Sequence, residues 1–88
     1  MAKIRVQELS IPGCVECAKF ERFWESIKIN WPEVEFQKID GPSSAGPAII
    51  QIYGILASPG IIINEELFSM GGVNQKAFIE KLQNLSKT

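Results

Sequence analysis

The spacing of apolar residues along this 88-residue chain switches between a period of two and a period near 3.6. The order of those switches restricts the fold more than any single residue does. Ile4-Arg5-Val6-Gln7 opens a stretch to Leu9 that alternates as a strand does. Phe20, Phe23, Trp24, Ile27 and Trp31 then recur three and four residues apart. They form a helical stripe, with Lys19, Glu21, Arg22, Glu25 and Lys28 predicted to face away from it. Pro32 stops this helix near Asn30 or Trp31. Alternation resumes from Val34 to Ile39, and a loop-rich stretch, Asp40 to Pro47, follows. Pro47 suits the first turn of a short helix running through Ala48, Ile49, Ile52 and Tyr53, closed by Gly54. The unbroken apolar run Ile61-Ile62-Ile63 reads as a strand buried on both faces. Asn64-Glu65 turns the chain into a return strand, Glu66 to Met70, which Gly71-Gly72 ends. Asn74 is placed to cap a last helix whose apolar face is Ala77, Phe78, Leu82 and Leu85.

The predicted order is βαβαββα. The first two strands can pair in parallel through a crossover helix, and the last two form an antiparallel hairpin. The expected fold class is therefore α/β, a mixed four-stranded sheet with helices on both faces. Residues 1–88 are expected to form a single domain. Hydrophobic residues make up 45% of the chain and charged residues 22%, which suits a packed core rather than disorder. Nine basic and ten acidic residues leave a formal net charge of −1. Neither nucleic acid nor an anionic membrane is an expected partner of so balanced a surface. Met1 to Gln7 lacks the apolar region of a signal peptide, so the expected location is the cytoplasm.

Cys14-Val15-Glu16-Cys17 lies at the joint between the first strand and the first helix, just after Pro12-Gly13. In a reducing compartment such a pair is catalytic or metal-binding more often than a static staple. A bridge between residues three apart also closes too short a loop to remove much unfolded-state entropy. At a helix N-terminus the unpaired N–H groups and the positive end of the macrodipole stabilise a thiolate. Cys14, at the very start, is the expected nucleophile. Cys17, nearly one turn on, can return to the same side and resolve a mixed disulfide. Glu16 opposes the thiolate, so the expected activation is moderate. The chain contains no histidine, which excludes a Cys–His hydrolase pair.

Pro59 precedes the apolar strand in the loop that should approach Cys14; it is either an ordinary trans proline or a cis one. Here Tyr53-Gly54-Ile55-Leu56-Ala57-Ser58-Pro59 resembles the thioredoxin superfamily, as do the Pro12-Gly13-Cys14 approach, the Cys17-to-Pro59 separation and Gly71-Gly72 before the last helix. The resemblance spans nearly the whole chain. With no extra N-terminal strand and helix, it looks closest to the small glutaredoxin-like, redox-active disulfide proteins. It implies a thioredoxin-like fold and a thiol–disulfide oxidoreductase that needs no cofactor and works as a monomer. Its partners are a protein or small-molecule disulfide, with a reductase or a low-molecular-weight thiol as electron donor. It further implies that Pro59 is cis, faces the cysteines and keeps metal ions off them. Ser58 would pair its backbone with an extended substrate segment, and Gly71 and Gly72 would leave room for that segment. The active site lacks the Trp-Cys-Gly-Pro-Cys of typical thioredoxins and the Cys-Pro-Tyr-Cys of typical glutaredoxins. Thioredoxins also place a buried acid near the dithiol. Glu8 lies six residues before Cys14 with the parity of Ile4 and Val6, yet an unpaired glutamate at a strand end is usually solvated. That commoner state is the expectation.

Two other functions use the same residues. A Cu(I) or other metal carrier also suits a C-x-x-C, but copper chaperones of this kind need a βαββαβ order, and this chain closes on a helix. Two chains could pool four thiolates for zinc or an iron–sulfur cluster. A redox sensor or docking module without turnover would look the same in sequence.

Overall fold

The computed structural model describes residues 4–87. Met1 to Lys3, part of the stretch read as lacking a signal peptide, and Thr88 lie outside the described residues. The elements follow the predicted order: β1 (Ile4–Ser10), α1 (Val15–Ile27), β2 (Val34–Asp40), α2 (Gly46–Tyr53), β3 (Gly60–Ile63), β4 (Glu66–Met70) and α3 (Gln75–Ser86). The stripe that runs on to Trp31 tightens before Pro32 into a single 3-10 turn, Lys28–Asn30. Pro47 sits in the first turn of α2, and Gly54 closes it in the left-handed region at φ 64°. The Asn74 side chain accepts the Ala77 N–H at 2.9 Å and so caps α3.

The sheet order is β2-β1-β3-β4, with β1 parallel to β2, and β3 antiparallel to both β1 and β4. Period-two alternation sends residues of each strand to opposite layers. Ile4, Val6, Ile61 and Ile63 meet Phe20 and Trp24 of α1 and Phe78 and Leu82 of α3 on one face. Leu9, Ile39 and Ile62 meet Ile55 and α2 on the other, where Ile49, Ile50 and Tyr53 make the contact and Ile52 is left exposed. The Phe20 and Phe78 rings join α1 to α3 edge-to-face at 5.3 Å, and Trp24 stacks on Phe36 of β2 at 5.3 Å.

β2 departs from the simple reading in one respect. Val34 and Phe36 point toward α1, while Ile39 belongs to the opposite layer. Lys38 shares the parity of Val34 and Phe36, so it lies on the α1 side of the sheet, where its register partner on β1 is Glu8. Because β1 sits between β2 and β3, Glu8 is flanked by Lys38 on one side and Ile61 on the other.

Candidate active site

Cys14 ends the Pro12-Gly13 turn and is the N-cap of α1. Gly13 makes that turn possible with φ 76°. Cys14 is joined to Cys17 in a disulfide, with Cα atoms 5.2 Å apart. The two sulfurs differ in surroundings, as expected from their positions. Cys14 is half-buried at the surface, whereas Cys17 is 2% exposed on the inner face of α1. The Cys14 sulfur faces two donors. The Cys17 backbone N–H reaches it at 3.0 Å and the Ser58 hydroxyl at 3.2 Å. Both hydrogen bonds strengthen when the sulfur carries charge.

The Ser58–Pro59 peptide is cis, as the resemblance implied. Pro59 is buried, and its carbonyl accepts the Gly71 N–H at 3.1 Å. Gly71 adopts φ 80°, a conformation that favours glycine. Gly72 lies against the first turn of α1, where a Cβ would come within 3.3 Å of Glu16 Oε1. Cys14, Cys17, Ser58, Pro59, Gly71 and Gly72 are thus collected at one end of the sheet from α1, the α2–β3 loop and the β4–α3 connection. Around them the apolar side chains of Val15, at 76% exposure, and Leu56, at 90%, stand in solvent together with Ile11 and Met70. The Leu56 N–H donates to the Met70 sulfur at 3.3 Å, tying the loop to β4. An open cleft of about 410 Å³ runs along the other side of the disulfide, lined by Ser10, Gly13, Cys14, Cys17, Glu21 and Lys38 among others.

Glu8 corrects the expectation of a solvated side chain, being 0% exposed. Its parity turns it to the face that α1 and α3 pack against, out of reach of solvent. Neither of its oxygens receives a hydrogen bond from a donor among the described residues. Burial pushes its pKa up to about 8; a hydrogen bond to Glu21 and the charge of Glu21 push the same way, while Lys38 pulls it down. Glu21 was expected to face away with the other charged residues of α1. It turns instead toward the sheet, where its carboxylate accepts from Lys38 Nζ at 3.1 Å and from the Ser10 hydroxyl at 3.4 Å. Burial acts to raise Glu21, but hydrogen bonds with Glu8 and Lys38 outweigh it and hold the group below the usual carboxylate range. The hydrogen bond to Glu21 raises Lys38. Glu21 and Lys38 were missed in the sequence. The signals were there: Glu21 is four residues after Cys17, on the same helix face, and Lys38 carries the parity of Val34 and Phe36.

The Ser58 hydroxyl makes a separable contribution. In the reduced protein, Ser58→Ala is expected to slow alkylation of Cys14 at neutral pH roughly tenfold, the effect of losing one hydrogen bond to a charged group. Iodoacetamide kinetics followed by mass spectrometry measure this. An unchanged rate would mean that the hydroxyl does not support the thiolate.

A family model described as a thioredoxin domain matches residues 2–84. The thioredoxin of Methanocaldococcus jannaschii is 28% identical over 87 residues, spanning 94% of this chain and 96% of its own length. The crystal structure of thioredoxin from Trypanosoma brucei brucei aligns at a TM-score of 0.77 and 25% identity, over 97% of this chain and 76% of that one. A thioredoxin from Nicotiana alata shares the fold at a TM-score of 0.77 and 18% identity, over 96% of this chain and 74% of its own.

Proposed function

The chain belongs to the thioredoxin family, whose members support a general assignment as a thiol–disulfide oxidoreductase, and from that premise we propose that Cys14 attacks partner disulfides and Cys17 resolves the product. The observation that carries this reading is the asymmetric sulfur pair: an accessible Cys14 held under two donors, bridged to an enclosed Cys17. In the reduced protein the Cys14 thiolate attacks one sulfur of a substrate disulfide. A mixed disulfide forms and the other substrate sulfur leaves as a thiolate. Cys17 gives up its proton and attacks the Cys14 sulfur. The internal disulfide closes, the second substrate thiolate leaves, and two electrons have passed to the substrate. Glu8, enclosed in the layer that α1 covers, accepts the Cys17 proton in this direction once it has itself ionised, and returns it in the other.

Ser58 and Pro59 shape the edge against which an extended substrate strand lies. Gly71 and Gly72 leave space beside it, and the exposed apolar side chains of Val15 and Leu56 supply contact area. The substrate class is protein disulfides, and the electron donor is a reductase or a low-molecular-weight thiol. One solved neighbour is a thioredoxin in complex with a ferredoxin:thioredoxin reductase, which illustrates the first kind of donor on this fold. Residues 1–88 act as one domain, a monomer, in the cytoplasm. Among the described residues no helix is long and apolar enough to cross a membrane.

The test is the Cys14–Cys17 reduction potential, measured by equilibration against graded thiol/disulfide buffers, with metal content assayed on the same sample. A reversible two-electron couple on metal-free protein is expected, and its value gives the working direction. Protein that arrives metal-loaded, or cysteines that do not form the internal disulfide reversibly, would overturn the redox reading in favour of a metal carrier.

A further inference from the structure

The exchange just described leaves Glu21 without a part, although its placement is specific. It follows Cys17 by one helical turn and lines the same cleft as both cysteines. Glu8 lies behind it, closed off from solvent. A buried carboxyl beside a lysine would ordinarily pair with that lysine. Here the register sets Lys38 next to Glu8, yet the ammonium reaches Glu21 at 3.1 Å, and Glu8 is left facing a carboxylate.

Among the described residues two charged groups act on Glu8. From α1 comes Glu21. From β2 comes Lys38, with Asp40 further along the strand acting on that lysine. On β1 itself Ser10 binds Glu21. β3 contributes the apolar Ile61, and the buried residues of α3 are the apolar Phe78 and Leu82. The balance at Glu8 is therefore struck between one neighbouring anion and one cation that the anion itself engages.

We propose that Glu21 is a positioning residue for proton transfer, keeping Glu8 protonated by accepting its O–H and by holding Lys38 away from it, and passing the proton between Glu8 and the water of the cleft. This rests on the role assigned to Glu8 above. When the protein acts as a reductant, Glu8 first releases its proton through Glu21 to the water of the cleft, and the carboxylate so formed takes the proton of the Cys17 thiol. When the Cys14–Cys17 disulfide is itself reduced, the path reverses, and Glu8 supplies the proton to the departing Cys17 thiolate. In the absence of Glu21, Lys38 is free to turn to Glu8 and draw it into its ionised form, and the acid needed at neutral pH is depleted.

The experiment is an NMR titration of the glutamate carboxyl carbons in the oxidised full chain, run beside the pH profile of its reduction by dithiothreitol. Wild type, Glu21→Gln, Glu21→Asp and Glu8→Gln are compared. Glutamine keeps the size and hydrogen-bonding capacity of Glu21 and removes its charge. The Glu8 midpoint is expected to fall in Glu21→Gln by about one pH unit or more, a tenfold change in the proton's equilibrium. The reduction profile should move with it, and Glu21→Asp should restore both in part. A Glu8 midpoint unmoved by Glu21→Gln would overturn the proposal while leaving Glu8 as the proton carrier. A profile unmoved by Glu8→Gln would overturn it together with the role of Glu8, while disulfide exchange by the cysteines would still stand.

Discussion

Cys17→Ser is expected to stop the exchange after its first step, with Cys14 held in a stable mixed disulfide. The reason lies in the division of labour between the two sulfurs. Cys14 is the sulfur that solvent and substrate can reach, and it keeps its Ser58 and Cys17 backbone donors when the Cys17 side chain is changed. Serine has no thiol to attack the Cys14 sulfur, so the adduct has no internal route of release. Incubation with a disulfide-containing protein should yield a one-to-one adduct by mass spectrometry, lost on adding reductant, with turnover at the uncatalysed background. Cys14→Ser should give the same loss of turnover and no adduct, because the remaining sulfur is enclosed. An adduct that forms as fast on Cys17 in the Cys14→Ser protein would reverse the assignment of attacking and resolving sulfur.

Glu8→Leu is expected to make the protein more stable, and the gain should grow with pH. A glutamate whose pKa is raised from 4.5 to about 8 by burial holds its proton in the folded state over a window in which the unfolded chain has already released it. Between about 4.5 and about 8 the folded state thus carries the extra proton, and stability falls as pH rises through the window. Above the folded pKa the full cost of an enclosed carboxylate is present, on the order of a few kcal/mol. Leucine in the same layer as Val6 and Ile61 has no such cost. The chain has no histidine, so few other groups titrate over this range to mask the effect. Urea denaturation of the oxidised proteins at pH 5 and pH 9 measures it. Wild type should lose stability between the two values and Glu8→Leu should hold nearly level; parallel losses would show that Glu8 is not the titrating group.

The two expectations stand differently toward the sequence. The roles of Cys14 and Cys17 follow from local order: a strand, a Pro-Gly turn, and a helix whose first turn carries both residues. The same holds for the Asn74 cap, for Pro47 and Gly54 at the ends of α2, and for the all-apolar β3. Each rests on neighbours within a few positions, where backbone preference and spacing act directly. The resemblance carried by Tyr53 to Pro59 extended this to the cis peptide at Ser58–Pro59, because that stretch is itself contiguous.

Glu8, Glu21 and Lys38 are of another kind. Glu21 shares a helix face with Cys17, yet polar residues on a helix are solvated by default, as Arg22 and Glu25 are. Its inward turn depends on how α1 lies across β1 and β2. The placing of Lys38 beside Glu8 depends on a register between strands thirty residues apart in sequence. The order of elements, the caps and the placement of a dithiol at a helix N-terminus are legible along the chain, because short-range sterics and periodicity settle them. Which carboxyl is enclosed, which one Lys38 engages and where the Ser58 hydroxyl lies are settled by packing between segments far apart in the chain. Burial and charge pairing are properties of surfaces that do not exist until the helices close over the sheet.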